Sequence, residues 1–202
     1  MNSSELPAAH EMRSPLLMNR DDTALLVIDV QEKLWPHIED HDLLAWNIAR
    51  LLEGAGTLGV PILLTEQYPK GLSATIEPLR TQEDDSMVFE KLMFSCRECE
   101  QLYVKLKELN VTKVLLAGIE THVCVMQSAL DLLAAGFDVY VCLDAVGSRS
   151  EADFMTAVAR METSGVTLVS TEMALFEWCE RAGSDEFKAI SKLVQQAPPS
   201  EE

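Results

Sequence analysis

The sequence predicts an α/β fold: a three-layer α/β/α sandwich around a six-stranded, mostly parallel sheet. Three observations lead there. Apolar runs of strand length alternate with helix patterns along the chain, the arrangement that packs helices on both faces of one sheet. The runs are continuous rather than alternating, as in Thr-Ala-Leu-Leu-Val-Ile at 23–28, which suits strands covered on both faces. A third run, Val111 to Ala117, meets Gly118 and a short polar segment. A strong helix pattern follows, with Val125, Ala129, Leu132 and Leu133 at helical spacing and Gly136 as stop signal. Strand, turn and helix in that order, joined by right-handed crossovers, build a parallel sheet.

Length and charge bound the rest. A chain of 202 residues suits one domain with a sizeable core, here taken as 21–196 between an amino-terminal arm, 1–20, and a polar tail, 197–202. The arm is expected to be flexible or loosely packed, because it has neither the basic start nor the apolar stretch of a secretory signal. A formal charge of −17 argues against nucleic acid and against anionic membrane surfaces as partners. No apolar run reaches the ~18 residues of a membrane span. Five cysteines make an odd number without a disulfide framework, so a reducing compartment, the cytoplasm, is expected.

Taken in order, Thr23 to Val30 is the first strand. It places Asp29 near its carboxyl end, followed by Gln31, where open α/β sheets hold their ligands. An acid inside an apolar run is costly unless paired, so Asp29 requires a specific partner; a turn or capping role is the plainer reading. Asp40 to Leu58 is a helix ended by Gly59, and Val60 to Thr65 the second strand, with Pro61 tolerated at its start. Glu66 to Thr75 is polar, carries Tyr68, Pro69 and Gly71, and fits either a pocket wall or a plain connection. Ser86 to Glu90 is a short strand that delivers Lys91, which can face solvent or reach Asp29 across the sheet. Cys96 to Asn110 is a helix. After Val111 to Ala117, Cys124 falls in the first turn of a helix, where free amides and the helix dipole favour the nucleophilic thiolate; packing as a small hydrophobe is the alternative. Asp138 to Asp144 is a strand, Ala145 to Ser150 a loop and Glu151 to Thr163 a helix. Val166 to Ser170 is the last strand. Thr171 caps a helix to Glu180, and Asp185 to Gln196 is the final helix. An acid, a base and a thiol thus sit at the ends of the first, third and fourth strands, a possible catalytic set.

Other constellations compete. Cys96-Arg-Glu-Cys99 has the spacing of thiol oxidoreductases but lacks the apolar or Pro pair usual inside that motif. It would predict a reversible disulfide. His37 and His41 could share a helix face and a metal. His122 and Cys124 are two apart at a helix start and point in different directions. No G-x-x-x-x-G-K-[ST] occurs, and the G-x-G-x-x-G spelled by Gly54 to Gly59 closes a helix pattern instead of following a strand, so no nucleotide cofactor is expected.

Three motifs together, Leu-Leu-Val-Ile-Asp-Val-Gln at 25–31, Lys91 with Phe94 and Ser95, and Gly-Ile-Glu-Thr-His-Val-Cys-Val at 118–125, resemble the isochorismatase-like cysteine hydrolase family. Thr-Glu-Gln-Tyr-Pro-Lys-Gly-Leu at 65–72 is similar to its isochorismatase domain-containing proteins. The resemblance implies a catalytic triad of Asp29, Lys91 and Cys124. It also implies a cis peptide between Ile119 and Glu120, with an oxyanion hole from the amides of Glu120 and Cys124. Gln31, Tyr68 and Phe94 would then line the substrate pocket. Glu66-Gln67-Tyr68 stands where nicotinamidases carry a metal-binding Asp-x-His, so neither a metal nor a cofactor is expected. The retained Cys124 points to acyl chemistry on a small molecule, at a C–N amide or related bond, through a thioester. The resemblance also implies a homo-oligomer, a dimer or tetramer. A catalytically silent binding or scaffold protein on the same fold is the alternative.

Overall fold

A computed structural model gives the structure of the chain, and it describes residues 13–80 and 87–199. The strands are β1 (Thr23–Ile28), β2 (Ile62–Gln67), β3 (Val88–Lys91), β4 (Lys113–Ile119), β5 (Asp138–Gly147) and β6 (Thr167–Val169). The helices are α1 (His41–Leu58), α2 (Pro69–Leu72), α3 (Glu100–Glu108), α4 (Met126–Ala134), α5 (Glu151–Thr163), α6 (Thr171–Cys179) and α7 (Asp185–Val194). The strands form one six-stranded sheet in the order β3-β2-β1-β4-β5-β6, and every pairing is parallel.

Every residue of β1 and β4 is buried, which is why both read as unbroken apolar runs. One layer of core joins the sheet to α1, α6 and α7 through Leu51, Leu115, Leu175, Trp178 and Ile190. The other joins it to α3, α4 and α5 through Leu26, Leu102, Leu116, Leu132 and Met161. Gly118 lies in β4 with φ +117, and a Cβ there would strike the backbone of Ile28. Only glycine lets β4 run this close to β1 where both strands end. The strand order reverses between β1 and β4. Connections leaving their carboxyl ends therefore part in opposite directions and open a crevice between them.

Several boundaries differ from those read in the sequence. β2 starts and ends two residues later than expected and so includes Glu66 and Gln67. β3 begins at Val88; Ser86, expected as its start, lies outside the described residues. The helix expected from Cys96 opens as a 3-10 turn, Cys96–Glu98, with α3 starting at Glu100. β5 continues to Gly147 through a shift in its register with β4, so half of the expected loop at 145–150 is strand. Thr171 does not cap α6. Ser170 does, accepting from the Met173 amide at 3.3 Å, while the Thr171 hydroxyl and amide are buried against Asp144 Oδ1. Residues 13–20 of the expected arm are pinned rather than loose. Arg13 donates to the Met18 and Glu177 carbonyls and to Glu180, and Met18 is fully buried. Among the described residues no helix is long and apolar enough to cross a membrane.

Candidate functional site

The site is assembled at the carboxyl edge of the sheet. β1 ends at Ile28, and Asp29 follows with φ 54, a left-handed conformation that acids tolerate better than most side chains. This turn sends its backbone N–H to the Thr65 carbonyl at 3.1 Å and keeps its carboxylate wholly buried. One carboxylate oxygen accepts from the Thr65 hydroxyl at 2.8 Å, the other from Lys91 Nζ at 2.5 Å.

Lys91 is the last residue of β3, and its side chain has no exposure. Its ammonium donates to Asp29 Oδ2, to Gln67 Oε1 at 2.8 Å and to the Phe94 carbonyl at 3.0 Å. An ammonium has three donors, and all three are engaged. Burying two opposite charges carries a large desolvation cost, which is offset only when geometry and hydrogen bonding are this complete.

β1 and β3 are not neighbours; β2 lies between them, and it bridges the pair. Thr65 is in register with Ile28, and Gln67 with Lys91. Two apart on one strand, Thr65 and Gln67 point to the same face, so one reaches the acid and the other the ammonium. Sequence reasoning missed both. The one signal was that Thr65 and Gln67 are two apart in the polar run Thr65-Glu66-Gln67 that closes an apolar strand.

Cys124 arrives from the other side of the crevice. β4 ends in a cis peptide bond between Ile119 and Glu120, and a π-helical turn, Thr121–Val125, precedes α4. The Glu120 carbonyl accepts from the amides of Val123 and Val125, at 3.1 and 3.2 Å. Its carboxylate meets Arg149, and among the described residues its amide meets no acceptor. Cys124 is 5% exposed, and Asp29 and Lys91 both lie near enough to act on its thiol's acidity. Burial pushes the thiol well above its ordinary range. The Asp29 carboxylate pushes the same way, and the Lys91 ammonium opposes both. At rest the sulfur therefore holds its proton. The expectation of a dipole-stabilised thiolate left out the desolvation and the adjoining carboxylate, both of which act against it.

The other expected pocket residues fall differently. Gln31 is fully buried. Its carboxamide oxygen accepts from the Gln67 amide at 2.8 Å, and its nitrogen donates to the Gln67 and Ser73 carbonyls at 3.0 and 2.6 Å. It is tied to β2, with no free group for a substrate. Tyr68 is half exposed and, with Pro69, Lys70, Glu90, Lys91, Leu92 and Glu98, lines a cavity of about 450 Å³. Phe94 projects its ring outward, 54% exposed, while its carbonyl faces Lys91. Glu66 accepts from the amide and hydroxyl of Thr75 and so closes a turn. Among the described residues no cluster of three or more His, Cys, Asp or Glu could hold a metal.

The competing constellations do not assemble. Cys96 and Cys99 are free and buried, and desolvation raises both thiols, Cys99 to about 11. The His41 ring meets the edge of Trp35, with Nδ1 3.1 Å from the Ile38 carbonyl. His122 pairs through Nδ1 with the Ser148 hydroxyl at 3.0 Å.

A parallel α/β sandwich with this crevice is the architecture of a known group of hydrolases. Residues 23–173 match the isochorismatase domain, and the chain belongs to that family. It is 38% identical over 183 residues to isochorismatase domain-containing protein 2A of Mus musculus, covering 89% of this chain and 85% of that one. Among solved structures it is similar to the MAR1 ribonuclease of Caenorhabditis elegans. That likeness has 35% identity and a TM-score of 0.85, covering 91% of this chain and 95% of the other. It is also similar to the YcaC gene product of Escherichia coli, an octameric hydrolase of unknown specificity. There the identity is 25%, the TM-score 0.78, and the coverage 84% and 85%. Family membership supports a hydrolase acting on small molecules.

Proposed function

We propose that the chain is a cysteine-dependent hydrolase that cleaves a C–N amide or related bond in a small molecule through a thioester. The observation that carries this reading is a wholly buried Asp29–Lys91 ion pair against a thiol, at the crevice where the strand order reverses. An acid, an ammonium and a thiol buried together in such a place are a candidate reactive centre.

As Cys124 Sγ attacks the substrate carbonyl, its proton passes to Asp29. The triad's net charge does not change. The ammonium simply exchanges a carboxylate partner for the developing negative charge on sulfur and oxygen. The amides of Glu120 and Cys124 would receive the oxyanion, a contact of a kind worth ~3–4 kcal/mol when one donor is removed. The C–N bond breaks, and the leaving nitrogen takes the proton from Asp29. Asp29 then removes a proton from water, the resulting hydroxide attacks the thioester, and the C–S bond breaks. The departing thiolate recovers the proton from Asp29, leaving a carboxylic acid and the resting thiol. Lys91 serves throughout as a fixed charge, since all three of its donors are engaged.

A small molecule, rather than RNA, is favoured as substrate by the charge of −17, which repels a polyanion. A homo-oligomer in the cytoplasm belongs to the same reading. The test is a panel of small amides and related compounds, with an RNA oligomer alongside, offered to wild type and to Cys124→Ala. Turnover of an amide by wild type alone is expected. Binding without turnover, unchanged by the substitution, would favour the scaffold reading, and RNA cleavage surviving Cys124→Ala would overturn the mechanism.

A further inference from the structure

We infer that Gln67 is a positioning residue of this centre: its carboxamide fixes where the Lys91 ammonium stands relative to the Cys124 sulfur. The inference rests on the reading of Cys124 as nucleophile. Gln67 is buried at 8% exposure, and its two amide ends have separate tasks. Nε2 donates to the Leu92 carbonyl at 2.7 Å, and Oε1 accepts from Lys91 Nζ at 2.8 Å. A carbonyl accepts hydrogen bonds and an ammonium donates them, so only one orientation of the carboxamide satisfies both neighbours. The amide cannot flip without setting two donors against each other and two acceptors against each other.

The same residue is held from behind. Gln31 clasps the Gln67 backbone by both its N–H and its C=O, at 2.8 and 3.0 Å. In front, Leu92 begins the turn that returns the Phe94 carbonyl to the ammonium, and the Glu98 carboxylate takes the Leu92 and Met93 amides at 2.7 Å each. Gln67 therefore sets two of the three directions in which the ammonium is held, one directly and one through the turn. Being neutral, it does so without competing for the charge. With the acceptor gone, the ammonium has an unmet donor in a dry site and swings toward whatever oxygen remains, loosening its hold on the sulfur.

The test is the rate of Cys124 alkylation by iodoacetamide as a function of pH in the full chain, followed by mass spectrometry. It is compared across wild type, Gln67→Met, Gln67→Glu and Asn47→Ala. Asn47 serves as control because its buried carboxamide holds the Asp144 carbonyl at 2.7 Å, away from the crevice. Gln67→Met is expected to slow labelling at pH 8 by about tenfold, the effect of one lost charge-assisted hydrogen bond, and to move the profile about one unit higher. Gln67→Glu, whose second carboxylate competes for the ammonium, is expected to be slower still. Asn47→Ala should lower the unfolding midpoint and leave the profile in place. A Gln67→Met profile superimposed on wild type overturns the inference, and if that variant does not fold, a Gln67→Glu profile matching wild type overturns it equally. If wild-type Cys124 is labelled no faster than Cys96, Cys99, Cys142 and Cys179, the nucleophile reading itself fails and takes this one with it.

Discussion

Replacing Lys91 by Met tests the buried ion pair directly. Methionine nearly fills the volume of the lysine stem, so packing changes little while the charge disappears. Asp29 is left with a buried carboxylate that keeps the Thr65 hydroxyl as a hydrogen-bond donor. Both side chains of the pair have 0% exposure, so water does not replace the lost ammonium. Removing one partner of such a pair typically costs about 3–5 kcal/mol, against at most about 1 kcal/mol for an exposed pair. For a chain of this size that is a fall of about 6–20 °C in Tm. The assay is urea unfolding of wild type, Lys91→Met, Asp29→Asn and the double variant. Much of the stability should return in the double variant, because no charge is then left stranded. A loss below about 1 kcal/mol in Lys91→Met would refute the reasoning, since it would mean that solvent reaches the pair.

Two further outcomes follow from the same geometry. Asp29→Asn should move the Cys124 titration to lower pH, followed by thiolate absorbance. The carboxylate raises that thiol and the remaining ammonium lowers it. Turnover should nevertheless fall by about 10²–10⁴ once the base is gone; an upward movement of the titration would contradict the assignment. Gly118→Ala should lose well over about 1 kcal/mol in denaturant unfolding, because φ is +117 and the new methyl would meet the Ile28 backbone, so an unchanged midpoint would dispose of the close approach of β1 and β4.

Much of this was legible in the residues, for physical reasons. Strands covered on both faces must be uniformly apolar, so β1 and β4 announced themselves, and Asp29 stood out because an acid in such a run needs a partner. What the sequence concealed was the partner's scaffold. Thr65 looked like a plain strand end and Gln67 like part of the polar connection after it, because nothing in a one-dimensional pattern says that β2 lies between the acid and the ammonium. Gln31 was expected to meet a substrate, since it follows Asp29. The turn at Asp29, with its positive φ, sends the Gln31 side chain back onto β2 instead. The influences on the thiol were read incompletely for a related reason. A helix start is visible in sequence, while desolvation and a carboxylate brought from a distant strand are not.

The members of the charged cluster do not sit on equally secure ground. Asp29 and Cys124 follow central strands locked on both sides, whereas Lys91 closes a four-residue strand at the rim of the sheet. Rim strands open at lower free energy than the middle of a sheet. Warming or mild denaturant should therefore peel away the cation first, disarming the thiol in a molecule whose centre is still folded.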